Sequence, residues 1–363
     1  MAERSDLIVF GTGSFAARII FDIAATAQDP VTVTLAGRNR ERLDWLKTAG
    51  NARAVIFERP VAFQARTVDL AGEDAAADLI GELRPALVVQ AASPQASAII
   101  ATTGNAWSQL IAEAGLSAMA VTQTMFSIRV ARAIKATRPE CHFINCAYPD
   151  VGNTIIAALD LPVTCGVGNV SILASVFAAA LKAREPGRLK TLAHYQTITP
   201  FRQPADSRKG HPPRVWVDGE EIAEVYARLR DVKLTAAPAI DVSGAAGVPL
   251  MLALVSGRDW QGHAPGPLGL PGGYPVACRN GHLELALPTG LDKAQALRWN
   301  QEFEQTNGLF VDGDGHAHYT GILHEKLHAI SVDLAKGFKV SDFDQVFETM
   351  EALRVRLIEK PEL

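Results

Sequence analysis

Residues Leu7–Ala16 read LIVFGTGSFA, an apolar run followed at once by a glycine-rich turn. The alanine-rich stretch Ala17–Ala27 behind it favours a helix with one apolar face. Strand, glycine turn and helix form the context in which a GxGxxG/A motif predicts dinucleotide binding. Gly11 permits the tight turn, Gly13 lets a pyrophosphate approach the backbone, and Ala16 allows helix and strand to pack closely. The N–H groups at the helix N-terminus suit the phosphates.

The same alternation continues to about residue 150. Further strands are predicted at Val31–Leu35, Ala65–Val68, Ala86–Gln90, Met119–Thr122 and His142–Cys146. Helices are predicted at Arg40–Lys47, Ala75–Leu83, Ser97–Ala114 and Ser127–Thr137. Strands alternating with helices imply a parallel sheet, and six strands are typical of a dinucleotide-binding domain. We therefore predict an α/β protein with a Rossmann doubly wound parallel sheet in residues 1–150. A mixed α/β substrate domain follows in 151–320, and residues 321–363 pack back on the first domain.

The end of the second predicted strand indicates which cofactor is bound. A chain that prefers NAD usually carries Asp or Glu there for the ribose hydroxyls, whereas this chain reads Ala-Gly-Arg-Asn-Arg at 36–40. Arg38 and Arg40 favour the 2′-phosphate of NADP(H), with Asn39 as a further donor. Alternatively, both arginines only solvate the start of a helix, although the helix dipole disfavours cations there.

The remaining predicted cofactor contacts follow later strands. Asp69 follows the third strand, where its carboxylate can accept a hydrogen bond from the adenine amino group. Small residues after the fourth strand leave room for the middle of the cofactor. The predicted cofactor-binding set is Gly11, Thr12, Gly13, Ser14, Phe15, Arg38, Asn39, Arg40, Asp69, Ala91, Ala92 and Ser93.

Composition excludes several classes of protein. The 363 residues are 48% hydrophobic and 20% charged, which supports a sizeable core, and the net charge of −4 gives no sign of nucleic-acid binding. No apolar run approaches the ~18 residues of a membrane span, and the polar start is unlike a signal peptide. The four cysteines form no CxxC pair. We expect a soluble, cytoplasmic protein.

Two segments also carry a resemblance. Gly11–Ile19 (GTGSFAARI) and Leu35–Leu43 (LAGRNRERL) resemble the cofactor-binding domain of the saccharopine dehydrogenase-like oxidoreductases. That resemblance covers roughly the first 150 residues. It implies NAD(P)H binding and chemistry that makes or breaks a secondary amine between an amino acid and a carbonyl partner, while relatives reduce other carbonyls or imines.

The segment Phe143–Gly152 (FINCAYPDVG) leads out of the last predicted strand of the sheet. Ligands of such sheets bind at the carboxyl ends of the strands. Tyr148 and Asp150 are therefore candidates for proton transfer, and Asp150 also for binding a substrate ammonium. Alternatively the segment is a hinge in which Asp150 and Asn153 cap a helix.

A second polar stretch, Thr199–Pro213, lies in the substrate half. An Arg fork suits a substrate carboxylate and a His can act as a general acid, so Arg202 and the nearby His194 complete the catalytic set of Tyr148, Asp150, His194 and Arg202. A solvated loop is the alternative, and it is our expectation for Arg208 and Lys209.

Three further features are interpreted as structural. Cys146 lacks the surroundings of a nucleophile and is expected to be buried. His324–His328 reads HEKLH, a literal HExxH, but the core stripe with Leu323 and Leu327 and the lack of a third ligand argue against zinc, so no metal is predicted. The Pro- and Gly-rich stretch His263–Val276 is expected to be irregular.

Together these features predict an NADPH-dependent oxidoreductase that reduces a carbonyl or imine. The resemblance favours an amino-acid-derived imine, as in opine or saccharopine chemistry. The alternatives are a keto or semialdehyde reductase and, from another class, a non-catalytic NADP(H)-binding sensor or assembly protein. The expected partners are a small substrate bearing a carboxylate and an amine or carbonyl, and a second copy of the chain in a homodimer. No nucleic-acid or membrane partner is expected.

Overall fold

A computed structural model describes residues 5–72, 74–94, 104–235 and 239–363. One parallel sheet has six strands in the order β3-β2-β1-β4-β5-β6. These strands are β1 Leu7–Phe10, β2 Val31–Gly37, β3 Val61–Thr67, β4 Leu87–Gln90, β5 His142–Asn145 and β6 Cys165–Gly166. The order and the parallel pairing confirm the predicted Rossmann doubly wound sheet.

Helices cover both faces of this sheet. They include α1 Ser14–Thr26, α2 Arg40–Ile56, α3 Ala75–Leu83, α4 Ala106–Ala114, α5 Ala120–Thr137 and α6 Pro149–Ala158. Strand β1 is wholly buried, and its residues alternate between two hydrophobic cores. Ile8 and Phe10 face the core that contains α3 and α5, whereas Leu7 and Val9 face the core that contains α1. A parallel sheet covered on both sides explains why the strand reads as a continuous apolar run.

One sequence expectation for the sheet is wrong. Met119–Thr122, expected as a strand, is helical: a 3₁₀ turn ends at Met119 and α5 begins at Ala120. The sixth strand is instead Cys165–Gly166, which pairs with the end of β5. Of the expected helix Ser97–Ala114, residues 97–103 lie outside the described residues, and the described part is α4.

The second half of the chain is mixed α/β. Its strands are β7 Leu189–Leu192, β8 Arg214–Val217, β9 Glu220–Glu221, β10 Trp260–Pro265, β11 Gly273–Arg279, β12 His282–Leu285, β13 Gly308–Val311, β14 His316–Thr320 and β15 Phe338–Lys339. They form three antiparallel sheets of three strands each: β7-β8-β9, β10-β11-β12 and β13-β14-β15. Its helices are α7 Val170–Ala180, α8 Val225–Arg228, α9 Ile240–Ser256, α10 Lys293–Thr306, α11 Gly321–Ile330, α12 Val332–Ala335 and α13 Phe343–Ile358.

Two more expectations differ from the structure. The Pro- and Gly-rich stretch at His263–Val276 is irregular only in its middle, because its ends belong to β10 and β11 and Pro265 pairs with Gly273. Arg208 is buried rather than solvated: it donates to the carbonyl oxygens of Leu229, at 2.9 Å, and of Arg230, at 3.2 Å.

Helix α13 packs against α4 and α5 beside the parallel sheet. Within the described ranges, every helix is too short or too polar to cross a bilayer.

Candidate active site at the carboxyl edge of the sheet

The glycine turn is pressed against the segment that follows β4. Gly11 has φ +125°, and its N–H donates to the carbonyl oxygen of Ala36 at 2.8 Å. A Cβ at this position would lie 2.8–2.9 Å from backbone atoms of Ala91 and Ala92. Only glycine satisfies both the backbone angle and the close approach.

Gly13 differs from Gly11 because it faces open space. It is the N-cap of α1 with φ −73°, and a Cβ there would have no atom within 4 Å. No side chain caps α1 and no acidic residue lies in its first turn, so the N–H groups of Ser14 and Phe15 lack intrahelical acceptors. These donors and the dipole fit the pyrophosphate of a dinucleotide.

Two residues that the sequence analysis missed hold this turn. The Arg42 Nε donates to the carbonyl oxygen of Thr12 at 3.2 Å, which ties the start of α2 to the turn. Gly37 ends β2, where a Cβ would lie 2.9 Å from the Thr12 Cγ2. A side chain at residue 37 would therefore displace Thr12, so the absence of an acid at this strand end has a packing cause as well as a cofactor consequence.

The side chains predicted to choose the cofactor lie on the surface beside this turn. Arg38 is 67% exposed, and its Nε lies 3.9 Å from the Asp69 Oδ1. Arg40 is 86% exposed. Asn39 caps α2, because its Oδ1 accepts a hydrogen bond from Arg42 N at 2.9 Å, and only its amide nitrogen stays free to donate. Arg38 is the cation that an approaching 2′-phosphate can recruit at low cost, since an exposed ion pair stabilises the fold by about 0–1 kcal/mol.

A buried chain of polar side chains begins at β4. The Gln90 Oε1 accepts from Ala92 N at 2.6 Å, and its Nε2 donates to the Ser127 Oγ at 3.0 Å. Ser127 donates to the Asn145 Oδ1 at 2.8 Å, Asn145 Nδ2 to the Asn153 Oδ1 at 2.8 Å, and Asn153 Nδ2 to the Gly266 O at 2.9 Å. All four side chains are fully buried. The chain therefore fixes the segments after β4 and β5 relative to the irregular segment between β10 and β11.

Tyr148 and Asp150 lie just beyond β5, next to this chain. Tyr148 is the N-cap of α6 and adopts a left-handed conformation with φ 52°, which is rare for an aromatic residue. Asp150 is fully buried: its Oδ1 accepts from Tyr195 N at 3.1 Å, and its Oδ2 accepts from the side chain of Asn169. Burial raises the pKa of the Asp150 carboxyl, against the opposing charge of His194. Asn153 lies inside α6 and caps nothing.

Ser117 joins two phenols to a buried carboxylate. Its Oγ lies 2.8 Å from the Tyr148 hydroxyl and 3.0 Å from the Tyr195 hydroxyl, and it donates to the Glu304 Oε2 at 2.6 Å. Ser117 has one hydrogen, so both phenols donate to its lone pairs when that hydrogen points at Glu304. Burial raises the pKa values of Tyr148 and Tyr195 well above the usual value, so both phenols hold their protons. The sequence analysis named neither Ser117 nor Glu304.

His194 lies behind the same carboxylate. It is fully buried, and its ring stacks on Phe303 with the ring centroids 4.8 Å apart. Its Nδ1 accepts weakly from Gln196 N at 3.4 Å, which places the proton of the neutral ring on Nε2. That Nε2 lies 3.3 Å from the Glu304 Oε1. We call Ser117, Tyr148, Asp150, His194, Tyr195 and Glu304 the polar cluster.

Three of the four predicted catalytic residues meet in the polar cluster, and the fourth does not. Tyr148 alone among its members is partly exposed, so the cluster reaches solvent only at that ring. Arg202 ends the 3₁₀ segment that begins at Tyr195, and the structure shows no hydrogen bond from it to the cluster. Cys146 is a free thiol in a residue that is half-buried rather than fully buried as expected, and desolvation raises the pKa of its thiol, which opposes thiolate formation. His324 and His328 are exposed on α11, and across the described residues no three potential ligands converge on a metal site.

The arrangement brings two parts together at one edge of the sheet. The glycine turn follows β1, and the polar cluster begins just after β5, with β4 between these two strands. A dinucleotide whose pyrophosphate lies on the turn would pass the small residues after β4 and reach Tyr148. The turn offers free N–H donors, and the polar cluster places hydroxyl groups that hold their protons at the same edge of the sheet.

Comparisons with known proteins support this fold. No family model matches the chain, and no curated protein matches its sequence. Solved structures do resemble it: the malate dehydrogenase of Picrophilus torridus has a TM-score of 0.54 and 13% identity, covering 83% of this chain and 95% of that chain. The malate dehydrogenase of Cryptosporidium parvum has a TM-score of 0.53 and 12% identity, covering 83% and 96%. The lactate dehydrogenase of Eimeria maxima, solved with NADH and oxamate, has a TM-score of 0.51 and 12% identity, covering 84% and 92%. At these identities the likeness shows the fold alone, and the resemblance to saccharopine dehydrogenase-like enzymes stays a prediction.

Proposed function

We propose that the chain is an NADPH-dependent oxidoreductase that reduces a carbonyl or imine carbon at Tyr148. One observation carries this proposal: Tyr148, which is partly exposed, lies at the same edge of the sheet as the glycine turn, two strands away from it. Its phenol bonds to the buried Ser117 hydroxyl. A phosphate site alone would fit any nucleotide-binding protein. A proton donor at the same edge is what a reduction needs besides the cofactor.

When bound, NADPH supplies the hydride. Tyr148 donates its proton to the oxygen or nitrogen of the reduced substrate, and the Ser117 hydroxyl, 2.8 Å away, then turns its hydrogen toward the phenolate and stabilises it. In the resting cluster the Ser117 hydroxyl donates to the Glu304 Oε2, and the same carboxylate oxygen accepts from Leu309 N at 2.6 Å. Tyr195 supports the same serine from the opposite side. Tyr148 is the one member of the polar cluster that is partly exposed, so its phenol regains a proton from solvent after each turnover.

The charges of the polar cluster support an amine-bearing substrate. Its ionisable groups with the potential for charge near neutral pH are Asp150, Glu304 and His194, and the structure shows no Lys or Arg in contact with them. A carboxylate at this point would meet two acids, whereas an iminium or ammonium would meet favourable charge. We therefore favour an amino-acid-derived imine over a simple keto acid.

The proposal is tested by NADPH oxidation with pairs of amino acids and keto acids. We expect absorbance at the nicotinamide band to fall with at least one pair, and Tyr148→Phe to lose about 10²-fold or more in kcat while keeping its Kd for NADPH. The matched control is Tyr226→Phe, because Tyr226 lies away from the cluster and makes only a weak 3.5 Å hydrogen bond to Lys209 O. NADPH binding without turnover on any carbonyl or imine would favour the sensor alternative, and equal losses in both variants would remove Tyr148 from the mechanism.

A further inference from the structure

A second cleft lies in the other half of the molecule. It has a volume of about 250 Å³ and lies between α7, α9 and strands β7, β10 and β11. Its walls include Ala174, Ala178, Lys190, Pro249, Trp260 and His263. None of these residues belongs to the glycine turn or to the polar cluster, so the cleft is separate from the proposed active site.

His263 offers the cleft a hydrogen-bond donor with a fixed position. Its Nε2 accepts from Thr191 N at 2.9 Å, so the proton of the neutral ring is on Nδ1. Burial lowers the pKa of His263 to about 3, so the ring stays neutral near pH 7. Within the part of the chain that the structure describes, no residue accepts from that Nδ1–H. A neutral imidazole locked in one tautomer is a donor and cannot become an acceptor there.

Lys190 brings a positive charge without a counter-ion. Its ammonium donates to the carbonyl oxygen of Leu287 at 3.0 Å, and burial lowers its pKa. Glu185, which lines the cleft, and Asp218 both pair with Arg188, at 2.8 and 2.7 Å. None of the described carboxylates lies within 4.0 Å of Lys190, which leaves two of its N–H groups for a ligand. A partly buried cation without a partner favours an incoming anion.

Part of the remaining wall is apolar and includes a flat aromatic surface, beside the polar Ser171, Ser175, Arg184, Glu185 and Gln261. A Cβ on Gly262 would lie 2.2 Å from the indole ring of Trp260, so the missing side chain lets this ring lie across its own strand. Ala174, Ala178 and Pro249 complete the surface. A hydrated inorganic ion would leave this apolar surface exposed to water, whereas a ligand with a flat apolar ring would remove it from water.

We propose that this cleft binds a small organic carboxylate whose carboxylate accepts from Lys190 and the His263 Nδ1–H and whose flat apolar body packs against Trp260. Binding at this cleft requires neither the cofactor nor the proposed reaction, so its test is independent of the test of the proposed function. It assigns a role to the His263 Nδ1–H and to the N–H groups of Lys190 that do not bond to Leu287.

The test uses benzoate as the probe and inorganic phosphate as the comparison. Protein labelled with ¹⁵N-histidine is titrated with each anion at constant ionic strength, and the imidazole signal of His263 is assigned from its absence in His263→Phe. We expect benzoate to move this signal saturably and phosphate to leave it unchanged. Lys190→Met should raise the Kd for benzoate about tenfold or more.

The matched control is Lys182→Met, because Lys182 is exposed and is not part of the cleft wall. This variant loses the same charge and should bind benzoate like the wild type. Equal weakening by both lysine variants would reduce the effect to general charge attraction, and an unmoved His263 signal with benzoate would overturn the proposal. An equal response to phosphate would show an anion site without the apolar selectivity, which also contradicts it.

Discussion

Gly11 and Gly13 lie two residues apart in the same turn, and we expect their substitution to affect different properties. Gly11→Ala should lower the stability of the fold, and Gly13→Ala should weaken cofactor binding. In Gly11→Ala, the new Cβ would lie 2.8–2.9 Å from backbone atoms of Ala91 and Ala92, at a φ of +125° that L side chains rarely adopt. Backbone strain of about 1–3 kcal/mol and overpacking of about 1–3 kcal/mol predict a loss of about 2–6 kcal/mol in the free energy of unfolding.

Gly13→Ala should behave differently, because the new Cβ would have no atom within 4 Å and φ is −73°. Alanine is a poorer N-cap than glycine, which lowers the free energy of unfolding, but it also reduces the entropy of the unfolded chain, which raises it. Because the two effects nearly cancel, the free energy of unfolding should change by no more than about 0.5 kcal/mol. The methyl group would project into the space that the pyrophosphate needs, and we expect the Kd for NADPH to rise about tenfold or more.

The assay combines urea unfolding with calorimetric titration of NADPH on both variants and the wild type. Gly11→Ala should shift the unfolding curve, and Gly13→Ala should shift the binding curve alone. A Gly13→Ala protein that binds NADPH as tightly as the wild type would refute the placement of the pyrophosphate on this turn. A Gly11→Ala protein of unchanged stability would refute the close packing of the two loops.

Three further outcomes are expected. Arg38→Ala should weaken NADPH by about 1.5–3 kcal/mol, or about 10- to 150-fold, and leave NADH unchanged in the same titration, because only the 2′-phosphate recruits this side chain; equal loss for both cofactors would contradict the NADP assignment. Glu304→Gln should lower kcat about 10²-fold while the Kd for NADPH stays constant, and a fall in melting temperature alone would mean that Glu304 is only structural. A hydrogen bond from His318 lowers the pKa of Asp312 from 3.8 to about 2, so the contribution of this carboxylate to stability is full above pH 4 and is lost as the pH falls toward 2. The difference between wild type and Asp312→Asn in urea midpoint should therefore shrink from pH 6 to pH 3, and a difference independent of pH would contradict it.

Strands with a clear local sequence pattern could be predicted. Strands that exist only because of pairing in the folded protein could not. Strand β1 reads as a buried apolar run before a glycine turn, and the structure confirms it. Val121 and Thr122 favour a strand locally, but α5 is buried around most of its circumference, so no amphipathic period marks it as a helix. Cys165–Gly166 is too short for any pattern, and its strand exists because Cys165 pairs with Ile144.

The residues of the candidate site also fall into two groups, those that the sequence indicates and those that only the folded structure reveals. Tyr148 and Asp150 were found because they follow a strand at the edge where ligands of such sheets bind. Ser117 and Glu304 are 187 residues apart in sequence, and neither belongs to a motif. Glu304 lies on a largely polar helix, α10, where an acid is ordinarily solvated. Only the packing of this helix against the turn before α5 turns the acid inward, and no single-sequence signal carries that information.

The backbone at Tyr148 and the hydrogen bonds of Asp150 and Asn153 support the proposed catalytic interpretation of this segment. In the hinge interpretation, Pro149 and Gly152 break the chain while Asp150 and Asn153 cap a helix, yet Asp150 bonds Tyr195 and Asn169, and Asn153 belongs to the buried polar chain. A hinge would also place Gly or Asn at the left-handed position, since Tyr costs about 1–2 kcal/mol there. The structure keeps this strained Tyr and aims its hydroxyl at Ser117, and Asn169, at φ 45°, is strained while bonding Asp150. Seven other described non-glycine residues also have positive φ, but Tyr148 and Asn169 are the two of the nine that bond to the polar cluster, and this supports the proposed site at Tyr148.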